Sequence, residues 1–240
     1  MTGHDVIIVG GGMVGAALGC ALGDLGLRVA VVEARAPAAQ WPADSVDART
    51  SALTRASECV LRNLGVWDRM VALRVSAYRA MHVWDQAGFG EIHFDSAEIG
   101  EPDLGHIVEN RVIQKALWER LGEIETVERI CPARVAALDL GGERPVLTVE
   151  VGESGPRSGA ASDEGDDAPP GGRPETRALE VSPFAPSSPP EAGVSRGDDG
   201  HRTLAASLIV AADGAQSSLR TLAGLGTRGW SYDQHAVVAI

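Results

Sequence analysis

Val6-Ile7-Ile8-Val9-Gly10-Gly11-Gly12-Met13-Val14-Gly15 is the stretch that decides the fold. Four consecutive apolar, mostly β-branched residues are the pattern of a strand buried on both faces, as in a parallel sheet. The glycine run breaks that strand. Met13 to Leu25 then reads as an Ala- and Leu-rich helix stopped by Gly26, and Val29-Ala30-Val31-Val32 as a second buried strand ending at Glu33. The result is a strand–helix–strand unit of about 30 residues. Within it, Gly10, Gly12 and Gly15 match Gly-x-Gly-x-x-Gly. Gly10 permits the tight turn, Gly12 lets backbone amides approach a pyrophosphate at the positive helix end, and Gly15 allows close helix–strand packing. Glu33 lies 18 residues after Gly15, where a carboxylate can accept a ribose hydroxyl hydrogen bond and disfavours a 2′-phosphate. Val6 to Gly23 carries no charge over 18 residues, the lower edge of a membrane span, but six of them are glycine. That composition suits a strand, turn and helix better than one continuous helix.

Outward from this unit, residues 34–50 read as loop, with Pro37 and Pro42. Thr54–Asn63 and Val66–Leu73 read as helices around Gly65. Met81–Asp85 and Glu91–Asp95 alternate around a Gly-rich centre, a hairpin signature. Asn110–Gly122 is amphipathic, with Ile113, Leu117 and Leu121 on one face. Arg134–Leu140 and Val146–Val151 form a second hairpin pattern. Residues 152–200 hold 8 of the 13 prolines, with 10 acidic and 4 basic residues. So little apolar surface cannot offset the ordering entropy, and the segment reads as a disordered insertion with at most a short strand at 178–181. Ser207–Ala212 is another buried strand, running into Asp213-Gly214, with a helix over Ser217–Ala223. The chain stops inside Ala236-Val237-Val238-Ala239-Ile240, which suggests a truncated chain. The expected organisation is a dinucleotide-binding domain over 1–151 and 204–226, with 76–104 in a β-sheet on the substrate side. An acidic insertion over 152–203 and the first strand of a further domain over 227–240 complete it.

Composition narrows the function. The formal net charge is −12, which disfavours nucleic acid and a polybasic membrane surface. Cys20, Cys59 and Cys131 are far apart and contain no Cys-x-x-Cys, so neither a disulfide framework nor a zinc site is expected, and a reducing compartment fits. The six histidines supply no ligand trio at metal spacing, and no metal is expected, although His82 and His93 could face each other across the hairpin. Ser217-Ser218 is not a nucleophile elbow. Asp163-Glu164-Gly165-Asp166-Asp167 lacks the calcium-loop pattern. Trp67, Trp84 and Trp118 read as core residues rather than ligand platforms.

The fingerprint leaves FAD and NAD open. Asp213-Gly214-x-x-Ser217-x-x-Arg220 at a strand–helix junction is the second constellation. Together the two resemble the FAD-dependent aromatic hydroxylases with the para-hydroxybenzoate hydroxylase-like fold, and within them the ubiquinone-biosynthesis hydroxylases. The likeness rests on Val9–Gly15, Arg49-Thr-Ser-Ala-Leu53, Leu64-Gly-Val-Trp-Asp68, Val83-Trp-Asp85, Gly105-His-Ile-Val-Glu-Asn110, Ala116-Leu-Trp118 and Ala212-Asp-Gly-Ala215. Leu104–Asn110 and Trp230-x-Tyr232-x-x-His235-Ala236 lean towards the 2-polyprenylphenol hydroxylase branch.

The resemblance implies an α/β fold, a Rossmann-like FAD-binding domain with the start of an inserted β-rich substrate domain. It implies FAD as cofactor, NAD(P)H as reductant, O₂, and a polyprenylated phenol hydroxylated on its ring. By resemblance, Arg49 lies near the flavin, Asn110 and Gln114 begin the FAD-contacting helix, Val135 meets the adenine, and Asp213 and Gly214 serve both FAD and NAD(P)H. No protein acid or base is assigned. The family's later Gly-Asp motif is not in this chain. The resemblance also implies a cytoplasmic protein without a transmembrane span, peripheral to the inner membrane and able to join a biosynthetic complex. Two alternatives use the same glycine site: a flavin reductase or dehydrogenase without oxygen chemistry, and a non-catalytic dinucleotide-binding assembly subunit.

Overall fold

The computed structural model describes residues 3–86, 88–152 and 200–232. The chain begins with β1 (Val6–Val9), α1 (Met13–Asp24) and β2 (Val29–Val32), as the apolar and glycine pattern requires. Then come β3 (Thr50–Thr54), α2 (Arg55–Asn63), α3 (Trp67–Leu73), β4 (Ser76–Tyr78), β5 (Ala80–Trp84) and β6 (Glu91–Asp95). After a 3₁₀ turn, β7 (Gly105–Glu109) leads into α4 (Asn110–Leu121) and β8 (Val127–Ile130). Next are β9 (Ala133–Asp139), β10 (Val146–Val151), β11 (His201–Ala205), β12 (Leu208–Ala211) and α5 (Ser218–Leu222).

The central sheet is parallel, in the order β12-β1-β2-β8. All four residues of β1 and of β2 are buried, because both faces of the sheet are covered. Val6, Ile8, Val29 and Val31 pack towards the helices with Cys20, Val112, Ile113, Leu117 and Leu121. Ile7, Val9, Ala30 and Val32 pack the other way, with Leu147, Val149 and Leu204 of the antiparallel sheet β11-β10-β9. Period-2 alternation therefore feeds two cores from one apolar run. Each fully buried Val or Ile contributes roughly 1.5–3 kcal/mol. The face predicted for α4 is the buried one: Ile113, Leu117 and Leu121 are at most 2% exposed. Burial pushes the Cys20 thiol up to about 12, leaving it an apolar filler between α1 and α4.

Several sequence expectations need correction. The antiparallel sheet β3-β7-β4 does not follow from the local pattern. Its strands are short and partly polar, and β3 pairs with a strand some fifty residues on. Ser76–Tyr78 pairs with β7, whereas β5 and β6 pair only with each other among the described residues. Residues 76–104 are therefore not one sheet. The boundary expected at 203 moves to Gly200, because His201, Arg202 and Thr203 pair with Glu150, Val149 and Thr148. Trp84, expected in the core, is 66% exposed on the β5–β6 hairpin, while Trp67 is 3% exposed. Residues 227–232 form no strand. The expected strand at 236–240, the possible strand at 178–181 and the expected disorder within 153–199 lie outside the described residues. Among the described residues, no helix is long and apolar enough to cross a membrane.

Candidate functional site

β1 stands where the strand order turns. The connection through α1 carries the chain to β2 on one side, and β12 lies on the other. A crevice opens at such a point, outside the carboxyl ends of the strands, and it is the usual ligand position in open α/β sheets. The glycine turn and the Asp213-Gly214 loop both emerge there.

Gly10 has φ +101° and donates its N–H to the Val32 carbonyl at 2.8 Å. A Cβ on it would strike the backbone between Ala212 and Asp213, so the two loops are in contact. Gly15 is buried in the first turn of α1, and its Cβ would strike the Gly10 carbonyl. Gly12 differs. It is the N-cap of α1 in extended geometry, no side chain caps it, and a Cβ there would meet nothing within 4 Å. The helix N-terminus thus opens onto a cradle bounded by backbone, a favourable place for an anion.

Glu33 closes the same cradle. Its Oε2 accepts the Gly11 N–H at 2.6 Å and its Oε1 accepts the Arg35 N–H at 2.9 Å. The carboxylate is held in place, and each oxygen keeps a further lone pair for a hydroxyl donor. On the other side, Asp213 Oδ2 accepts from the Leu219 N–H and the Ser218 hydroxyl, both at 3.1 Å. Its Oδ1 is buried with no hydrogen-bond partner. Burial pushes the Asp213 carboxyl up, but hydrogen bonds from the Ser217–Leu219 turn outweigh it and hold it below the usual carboxylate range. A buried, ionised oxygen without a partner calls for a donor. Gly214 follows at φ +86°.

The remaining residues fall in two places, Arg49, Asn110 and Gln114 around the start of α4 and Val135 on the antiparallel sheet. Asn110 begins α4; its N–H donates to the Arg49 carbonyl at 2.9 Å and its Oδ1 accepts from Ser51 Oγ at 2.6 Å. Gln114 lies one turn on, on the same side of α4. The Arg49 side chain is 75% exposed, with Nε 3.9 Å from Asp47 Oδ1. Val135 lies on β9 opposite Val149, at a bulge. That strand is joined to the cradle by the Ala133 N–H donating to the Glu33 carbonyl at 2.8 Å.

Two features escape the motif reading. A Cβ on Gly11 would collide with the Trp118 ring and lie 3.1 Å from Glu33 Cβ, although position 11 is a free "x" in the motif. Separately, Glu58, Asp103 and His106 bring metal-ligand atoms together in a buried cluster. Arg55 Nη1 occupies it, 2.6 Å from Glu58 and 3.3 Å from Asp103, and Arg62 Nε donates to Glu58 at 2.8 Å. Its carboxylates already have cationic partners. His82 and His93 do face each other across the hairpin, with ring centroids 5.9 Å apart.

Residues 3–141 match the family described as FAD binding domain. The chain is 32% identical over 234 residues to 3-demethoxyubiquinol 3-hydroxylase of Escherichia coli, covering 98% of this chain and 47% of that protein. It is 30% identical over 243 residues to the mitochondrial ubiquinone biosynthesis monooxygenase COQ6 of Mus musculus, covering 99% and 42%. The chain thus spans about half the length of these curated relatives. Among solved structures, p-nitrophenol 4-monooxygenase PnpA of Pseudomonas putida has the same fold, with a TM-score of 0.62 at 18% identity over 95% of this chain and 45% of that one.

Proposed function

From the premise that the chain belongs to the FAD binding domain family, whose cofactor is FAD, we propose that it is the cofactor-binding part of a monooxygenase. The proposed enzyme uses NAD(P)H and O₂ to hydroxylate the ring of a polyprenylated phenol in ubiquinone synthesis. The observation that carries the reading is the meeting of the Gly10–Gly12 cradle with Asp213 at the carboxyl end of β1. An open, uncapped helix N-terminus on one side and an unpartnered carboxylate oxygen on the other fit a ligand that combines a pyrophosphate with hydroxyl donors.

In this reading the amides at Gly12 and the start of α1 hold the pyrophosphate. Glu33 accepts a ribose hydroxyl, and Asp213 Oδ1 accepts a hydroxyl of the cofactor. Arg49, Asn110 and Gln114 line the flavin side, Val135 backs the adenine, and Gly214 lets backbone approach closely. Bound FAD would supply the redox and oxygen chemistry, while the protein orients it and excludes water. The substrate assignment draws on the relatives named for ubiquinone synthesis; a cytoplasmic location at the membrane surface and membership of a biosynthetic complex belong to the same proposal.

The test is purification of the chain, release of its chromophore by heat, and identification of that chromophore. FAD is the expected chromophore, weakly held because the chain spans about half of its relatives' length; a protein that neither retains nor rebinds FAD overturns the reading. The oxygenase half is tested on the whole enzyme of which this chain is proposed to be the cofactor-binding part, by NAD(P)H and O₂ consumption with an added prenylated phenol, scored by the hydroxylated product. NAD(P)H oxidation without product would favour a reductase.

A further inference from the structure

We propose that Trp118 is a positioning residue for the adenosine half of the bound cofactor, acting through Gly11 and Glu33; this rests on the FAD reading above. Gly11 has no positive φ, so its backbone does not demand glycine. What excludes a side chain there is the Trp118 ring: a Cβ would collide with Cζ3 and lie 3.0 Å from Cη2. The ring edge therefore lies directly against the peptide whose N–H holds Glu33 Oε2 at 2.6 Å.

The ring is itself held. Trp118 is two turns after Asn110 and one after Gln114 on α4, a spacing of four that places all three along one side of the helix. Eight residues at 1.5 Å each carry that stripe about 12 Å, from the Arg49–Asn110 contact to the glycine turn. Arg129, on β8, donates from Nη1 to the Trp118 carbonyl at 3.0 Å, and its guanidinium lies 5.8 Å from the ring centroid. The indole is thus a fixed wall beneath the Gly11–Glu33 bridge. It sets where the carboxylate stands at the end of β2, and so the position of the ribose it would bind. An aromatic wall loses little conformational entropy on ligand binding, which suits a preorganised subsite.

The experiment is a two-residue cycle in the 240-residue chain: Trp118→Phe, Gly11→Ala, and both. FAD affinity is read by flavin fluorescence, ADP affinity by competition, and the apo-protein melting midpoint separately. Phenylalanine keeps an aromatic wall but lacks the outer edge that meets position 11. Gly11→Ala alone should weaken FAD and ADP by the same factor, about tenfold, the size of a coupled-pair energy. In the Trp118→Phe background the same change should cost less than about twofold. Trp118→Ala should weaken both ligands, with Trp118→Phe recovering most of the loss and the apo midpoint of Trp118→Phe unchanged. An equal cost of Gly11→Ala in both backgrounds overturns the proposal, as does unchanged ADP affinity in a folded Trp118→Ala protein. A wild-type chain that binds neither FAD nor ADP overturns the function reading itself, and this inference with it.

Discussion

Gly12 and Gly15 stand three residues apart in one motif and are glycine for different reasons. At Gly12 a Cβ meets nothing within 4 Å, so the fold tolerates a side chain there, whereas the pyrophosphate proposed to lie at this turn would not. Gly12→Val should cost at most about 1 kcal/mol as a poorer N-cap yet abolish flavin retention, read as FAD per protein after gel filtration. At Gly15 a Cβ strikes the Gly10 carbonyl, which neither side can yield cheaply. Gly15→Val should lower stability by about 1–3 kcal/mol or more, the cost of overpacking, seen as a lower urea midpoint even without FAD. Glu33→Ala lies between them. On the proposed reading it removes one charged hydrogen bond to the cofactor, weakening FAD by roughly 1.5–3 kcal/mol. It also frees the Gly11 N–H, so the variant should bind ADP more weakly as well.

Between elements, Glu109 does the tying. It ends β7 and is 5% exposed. It accepts from Arg74 Nη1 at 2.9 Å, Arg111 Nε at 2.6 Å and the Asp47 N–H at 2.9 Å. One carboxylate thus joins the loop after Pro42, the end of α3 and the first turn of α4, which also carries Asn110. Burial pushes its carboxyl up, but the Asp47 amide and the two guanidiniums outweigh this and hold it below the usual glutamate range. The folded value lies below the unfolded one, so the stabilisation is complete above the ordinary glutamate pKa of about 4.3 and is lost as pH falls through the folded value. Glu109→Gln should cost about 3 kcal/mol at pH 7, near the lower end for a broken buried pair because Arg74 is 42% exposed and stays hydrated. Its stability should also fall less steeply than wild type on acidification below about pH 4.3, measured by urea unfolding across pH.

Across the whole chain, the long segment after Gly152 leaves and re-enters at one place. β10 and β11 are antiparallel neighbours, with Glu150 opposite His201 and the Val151 N–H donating to the Gly200 carbonyl at 2.9 Å. Strand ends so paired can be joined by a short turn. Replacing residues 153–199 with a turn of about two to five residues should therefore preserve the melting midpoint and FAD affinity, since closure entropy depends only weakly on length and favours the shorter loop. A marked loss of either property in the shortened protein would show that the segment contributes to the fold or to the site.

The sequence by itself determined the strand–helix–strand unit, the glycine turn with Glu33, the buried face of α4 and both local hairpins. Each is written in contiguous residues: an apolar run, a glycine where a turn is needed, a period of two or 3.6. Only the tertiary structure decided that β12 lies beside β1, which brings Asp213 against Gly10 from some two hundred residues away. The same holds for β3, β7 and β4 forming one sheet, and for Trp118 resting on Gly11 rather than merely filling the core. The physical reason is that a local pattern states which face is apolar but not what will cover it. Strand neighbours, and the side chains that meet across them, are chosen by non-local burial that no short window of residues contains.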